Sequence, residues 1–265
     1  MAAPLPLGWH TDIAVLRYSG SEVEEHPDHL VVRTPTNPTY HWGNFVLVTD
    51  PDEVGDAGRW LGVFEAEFPG AGHRAIGLCA DPPDAVAWES LGLEIEHEDV
   101  LAGRGPRRTA LADGYVVRPL AGEDDWDQDL RLSLSGSDDP GTEVFQRGAT
   151  AAKARMCAAG VAVFLGAFDG RDLAADLGIV DCGEGIARYQ SVITAEPHRR
   201  RGLASHLLGV AADWASARAC DRLVILADAD APPSRLYRSL GFSPVLRSAQ
   251  AYSPSSRETS SVVAP

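Results

Sequence analysis

Hydrophobic positions along this chain alternate between short continuous runs and stripes at helical spacing, as expected of strands and helices in succession. Short β-like runs at Ile13–Leu16, Leu30–Arg33 and Phe45–Thr49 are separated by Pro, Asn, Asp and Gly. From Val54 to Phe68, Trp60, Leu61, Phe64 and Phe68 share one helical face, and the acids at its start suit a helix N-terminus. His73–Ala80 reads as a buried strand, Pro83–Leu91 as a short helix and Leu93–His97 as a strand. The Gly-, Arg- and Pro-rich stretch Ala102–Arg108 then marks a domain boundary.

Past that boundary, Tyr115–Pro119 reads as a strand, and Glu123–Ser133 and Thr142–Ala159 as helices. Val161–Phe168, Leu173–Asp181 and Ile186–Thr194 are three β-rich runs joined by Asp169-Gly170 and Gly183-Glu184-Gly185, which predicts an antiparallel meander. Helix Leu203–Ala219 carries Leu203, Leu207, Leu208, Ala211 and Trp214 on its apolar face. Strand Leu223–Ala227, helix Pro233–Leu240 and a final run, Pro244–Tyr252, complete the unit. The expected domains are 1–108, 109–252 and a disordered, Ser-rich tail, 253–265.

The 265 residues are 45% hydrophobic, which is enough chain for one large domain or two ordinary ones. A formal charge of −15 argues against broad contact with nucleic acid or an anionic membrane and favours a cationic partner such as a polyamine, an aminoglycoside or a lysine side chain. Cys79, Cys157, Cys182 and Cys220 form no Cys-x-x-Cys pair and are expected to be reduced thiols. The first residues show neither the basic nor the apolar region of a secretion signal, and no apolar run approaches a membrane span, so a cytoplasmic location is expected.

The chain repeats itself. Leu61-Gly62-Val63 recurs as Leu208-Gly209-Val210 at an offset of 147, and Ser90-Leu91-Gly92 as Ser239-Leu240-Gly241 at an offset of 149. The copies differ where it matters chemically. Arg199-Arg200-Arg201-Gly202-Leu203-Ala204 of the second copy aligns with Asp52-Glu53-Val54-Gly55-Asp56-Ala57 of the first, so anions would be attracted by one and repelled by the other. Tyr237 of the second copy is Trp88 in the first, and an indole cannot replace a phenol as a proton donor. Chemistry therefore belongs to the second half.

Gly202 and Ala204 stand between a strand and an amphipathic helix, where small residues let a ligand approach the backbone N–H groups. With three arginines beside them they make a seat for a diphosphate. The order strand, Arg199-x-x-Gly202-x-Ala204, helix, strand, Leu236-Tyr237-x-x-Leu240-Gly241-Phe242 resembles the GNAT family of acyl-CoA-dependent N-acyltransferases, over about residues 115–252. The first half resembles a truncated, degenerate module of the same kind.

This resemblance implies an α/β fold with a mixed, mostly antiparallel twisted sheet flanked by helices, in two related domains. It implies acetyl-CoA as co-substrate and an amine, on a small molecule or a protein, as acceptor. By position, the pantetheine arm would pair with Val192, Ile193 and Thr194, with the oxyanion held by a backbone N–H near Ile193. The diphosphate would lie on Arg199, Arg200, Arg201, Gly202, Leu203, Ala204 and Ser205, with Asp230 toward the cofactor. Tyr237 would protonate the departing thiolate. Glu196 is a candidate for removing the ammonium proton, with Tyr189 and Glu143 as others. The alternatives are an acyl-CoA-binding sensor without turnover and a transferase of another acyl group. His198 and His206 flank the motif without a third ligand at recognisable spacing, so no metal is expected. The cluster Tyr40-His41-Trp42-Gly43-Asn44-Phe45 reads as core or as lining for an acceptor pocket. The acceptor itself and the oligomeric state are not specified by these motifs.

Overall fold

The structure is a computed structural model that describes residues 4–135, 139–227 and 232–253. The chain forms two compact units, one of residues 1–100 with 246–265 and one of residues 101–245.

The first unit begins with helix α1 (Leu7–Tyr18) and continues through β1 (Glu22–Glu25), β2 (His29–Arg33), β3 (Phe45–Val48), α2 (Ala57–Glu67), β4 (Arg74–Leu78) and α3 (Ala85–Glu89). β1, β2 and β3 pair antiparallel, and β3 pairs parallel with β4 through the α2 crossover. The run expected as a strand at Ile13–Leu16 is thus helical: Trp9, Ile13 and Leu16 recur one and two turns apart and bury together, and Trp9 Nε1 donates to the Leu78 carbonyl at 2.8 Å. Trp60, Phe64 and Trp88 fill the centre of this unit's core with Phe45 and Leu47.

Strand β5 (Glu94–Gly103) leads into the second unit, which contains β6 (Tyr115–Pro119), α4 (Gly122–Ser133), α5 (Pro140–Ala158), β7 (Ala162–Asp169), β8 (Asp172–Asp181), β9 (Ile186–Thr194), α6 (Leu203–Ser216), β10 (Arg222–Ala227) and α7 (Pro232–Ser239). Strands β7 to β9 form the expected antiparallel meander, β6 pairs antiparallel with β7, and β10 lies parallel to β9 through the α6 crossover. β11 (Ser243–Ser253) ends the described chain.

The boundary falls at Val100/Leu101, before the Gly/Arg/Pro stretch placed there from sequence. Packing explains the shift. A Cβ on Gly209 of α6 would lie 2.5 Å from the Arg108 Cα, and His206 Nδ1 is 2.6 Å from the Thr109 carbonyl, so this segment is held against α6. The final run, expected to complete the second domain, instead pairs Ala249–Ser253 antiparallel with β4 of the first unit. The tail 254–265 lies outside the described residues.

Helix α6 is fixed by its apolar stripe. Leu203, Leu207, Leu208, Ala211 and Ala215 are buried against Leu177 and Ile179 of β8, each leucine contributing about 1.5–3 kcal/mol. All four cysteines are free thiols. Among the described residues no helix is long and apolar enough to cross a membrane.

Candidate active site

The β9–α6–β10 crossover gathers most of the residues singled out from sequence. β9 and β10 pair only from Ile186 to Arg188 against Arg222 to Val224. Beyond Arg188, β9 continues to Thr194 without that neighbour, so the two strands part. The β8–β9 register slips between Asp176 and Gly178, where β9 carries an extra residue; Ser191 there adopts φ 49°. Val192 and Ile193 follow this bulge and are half-buried. The Ala195 N–H donates to Ala174 of β8. By alternation the Thr194 peptide groups point away from β8, and the Thr194 carbonyl accepts from Arg199 Nε at 3.3 Å.

A 3-10 turn (Glu196–His198) leads into the arginine segment. His198 Nδ1 is 2.7 Å from the Tyr115 hydroxyl, which ties the turn to β6. Arg200 adopts φ 60° and Gly202, the residue that caps α6, φ 76°. Non-glycine residues in this left-handed region cost of order 1–3 kcal/mol, and such conformations concentrate where function demands them. No side chain caps α6, so the N–H groups of Leu203, Ala204 and Ser205 point out of the helix without a partner among the described residues. Arg199, Arg200 and Arg201 are exposed and form no ion pair among the described residues. Open N–H groups, the positive end of a helix dipole and three guanidinium groups that have no acid among the described residues fit a diphosphate, and the edge of β9 beyond β10 fits an extended arm that bears amides.

Tyr237, on α7, is 5% exposed, and its hydroxyl has no hydrogen-bond partner among the described residues. Burial pushes its pKa up to about 12, so it keeps its proton at neutral pH. Tyr189 donates to the Leu208 carbonyl at 2.9 Å, and burial raises its pKa further; it is a packing residue and not a base. Glu143 is exposed and pairs with Arg147. Glu196 is exposed in the 3-10 turn. Asp230 lies outside the described residues. Among the described residues no group of three or more His, Cys, Asp or Glu is placed to hold a metal ion. In the first unit, Trp42 packs against Trp9, Phe45 and Tyr252, and His41 Nδ1 lies 2.7 Å from the Tyr252 hydroxyl, so the aromatic cluster contributes to core packing.

One residue escapes the sequence reading. Asp176 of β8 is fully buried, and both of its carboxylate oxygens lack a hydrogen-bond partner among the described residues. It lies opposite Ile193 at the bulge, on the β8 face away from α6. Desolvation raises its pKa to about 8 against a smaller opposing pull from Lys153, while Asp129 pushes it further up. The available signal was a single acid in the otherwise apolar run Leu173–Val180.

This arrangement of strands and crossover is shared with known proteins. Residues 134–242, from just past α4 to just before β11, match the model of the Acetyltransferase (GNAT) family. Its fold is similar to that of a GCN5-related N-acetyltransferase from Kribbella flavida (TM-score 0.65, 16% identity, covering 94% of this chain and 97% of that one). It is also similar to one from Sphaerobacter thermophilus (0.57, 15%, 94% of each chain). A tandem GNAT protein from the clavulanic acid biosynthesis pathway matches over 95% of this chain and 89% of its own (0.56, 15%). No curated protein matches the sequence.

Proposed function

We propose that the chain is an acetyl-CoA-dependent N-acetyltransferase that acylates a primary amine, with the reaction carried by the second unit. The observation that carries this reading is the coincidence, on one crossover, of a helix N-terminus without a side-chain cap, three arginines with no acid among the described residues and the edge of β9 that runs past β10. In this reading the N–H groups from Gly202 to Ser205, with Arg199, Arg200 and Arg201, hold the diphosphate. Val192, Ile193 and Thr194 align the pantetheine arm through the backbone. Acetyl-CoA, when bound, supplies the activated thioester. Tyr237 holds a proton on a hydroxyl that no described residue engages and delivers it to the departing sulfur, the step in which a positioned acid is most useful. The first unit is a related frame that lacks the seat.

Titration calorimetry with acetyl-CoA tests this directly. One site per chain, lost on Gly202→Val and kept on Gly55→Ala, supports the reading; thiol release in the presence of an amine panel then establishes turnover. Absence of binding would reduce the arginine segment to a basic helix start and remove the enzyme reading with it.

A further inference from the structure

The meander and the two helices on its other face enclose a second group of charges that the diphosphate seat does not use. Asp129 of α4 accepts from Thr150 at 2.7 Å and from Lys153 of α5 at 2.8 Å, and all three side chains are buried. Lys153 also lies over the Phe164 ring, 5.4 Å from its centroid. Asp176 faces this group from β8 and is the member without a partner. Lys153 is already neutralised by Asp129, so an ionised Asp176 would leave one uncompensated negative charge in a dry interior. Such a charge is not tolerated: it is removed by a proton or balanced by a cation.

The other neighbours do not supply that cation. Cys157 of α5 is a neutral thiol, raised by burial and by Asp129. Phe164 and Gly166 of β7 bring no charge. Arg188 of β9 pairs in register with Val180, four residues along β8 from Asp176, and has other interactions. Gln190 is buried and neutral. Asp176 stands opposite Ile193, on the stretch of β9 that parts from β10 and to which the pantetheine arm is assigned above.

We propose that Asp176, set against the Asp129–Lys153 pair, receives the acceptor's amino group and selects an aliphatic primary amine on a slender arm. The role rests on the acetyltransferase reading and names its acceptor class. Asp176 is fully buried, so the arm that brings a nitrogen to it must be slender and unbranched. The proton count follows from charge balance. Before binding, Asp176 is a neutral acid and the amine in solution is an ammonium ion. The enclosed pair holds only one of those two protons between nitrogen and carboxyl, and the other is released to solvent. When the shared proton sits on Asp176, the nitrogen lone pair is free to attack the thioester carbon as the carbon–sulfur bond breaks and Tyr237 protonates the sulfur. Asp176 is then a neutral acid again, and the proton that the new amide nitrogen sheds reprotonates Tyr237.

The test uses the full chain with CoA present and n-butylamine as the probe. Calorimetry in buffers of different ionisation enthalpy should show release of about one proton per amine bound near pH 7. Infrared difference spectra against Asp176→Asn should show a carboxylic-acid carbonyl band that n-butylamine abolishes and tetramethylammonium does not. Asp176→Asn should release no proton and bind the amine roughly tenfold to hundredfold more weakly, with acetyl-CoA affinity unchanged. Amine binding that leaves the band intact, no amine binding at all, or equal proton release by Asp176→Asn would overturn the proposal. Failure of acetyl-CoA to bind the wild-type chain would instead strike the acetyltransferase reading, and the two results are read separately.

Discussion

At the start of α2, the Asp56 carboxylate accepts from the Arg59 N–H at 3.1 Å; at the start of α6, Gly202 offers no side chain at all. The parallel strands flanking the two helices differ in the same sense. β3 and β4 remain paired to the end of β3, where Cys79 N–H donates to the Val48 carbonyl, whereas β9 runs on past Arg188 without β10. Arg59 on α2 is paired with Asp28 and Glu53, while Arg199, Arg200 and Arg201 have no acid among the described residues. The same strand–helix–strand frame is self-sufficient in the first unit and left unsatisfied in the second. A unit that supplies its own caps and pairs has no need of a ligand, and one that withholds them is built to receive it.

Perturbing each side of this contrast should give unequal results. Gly202→Val places a β-branched residue at φ 76° and should weaken acetyl-CoA binding by roughly tenfold to a hundredfold or more; Gly55→Ala should leave calorimetric affinity unchanged. Tyr237→Phe should lower kcat by about a hundredfold while sparing acetyl-CoA affinity, and Trp88→Phe in the first unit should leave turnover as it is. Asp176→Asn bears on stability. Burial raises the carboxyl's folded-state pKa from the ordinary aspartate range to about 8, so the wild-type chain has this contribution fully below the unfolded pKa and loses it as pH rises through about 8. The variant's Tm should therefore gain on the wild type progressively from pH 4 to pH 8 and then level off. Smallest is Asp56→Ala, which removes a helix cap worth about 1 kcal/mol; denaturant unfolding should record that loss with acetyl-CoA binding intact.

Much of this was legible in the residues. The meander showed itself because its apolar runs are punctuated by Asp169-Gly170 and Gly183-Glu184-Gly185, and α6 because an arginine-rich turn precedes a regular Leu/Ala stripe. α1 was misread because Ile13–Leu16 is a continuous apolar run, and only tertiary contact shows that Trp9, Ile13 and Leu16 bury as one helical face. β1, Glu22–Glu25, carries one apolar residue and owes its conformation to pairing with β2, so local pattern did not reveal it. The orphaned state of Asp176 depends on Asp129 and Lys153, distant along the chain, arriving on the same face. No motif encodes that meeting.

The antiparallel pairing of Ala249–Ser253 with β4 also sets an order of events during synthesis. When Arg74–Leu78 emerges from the ribosome, its eventual neighbour is still to be translated, and the whole second unit must be made first. Until then β4 presents a bare hydrogen-bonding edge, rich in Ala75, Ile76 and Leu78, of the kind that invites pairing with other chains. Nascent chains stalled before Ala249 should therefore depend on chaperones and aggregate more readily than finished ones, and the closing strand acts as a seal applied last.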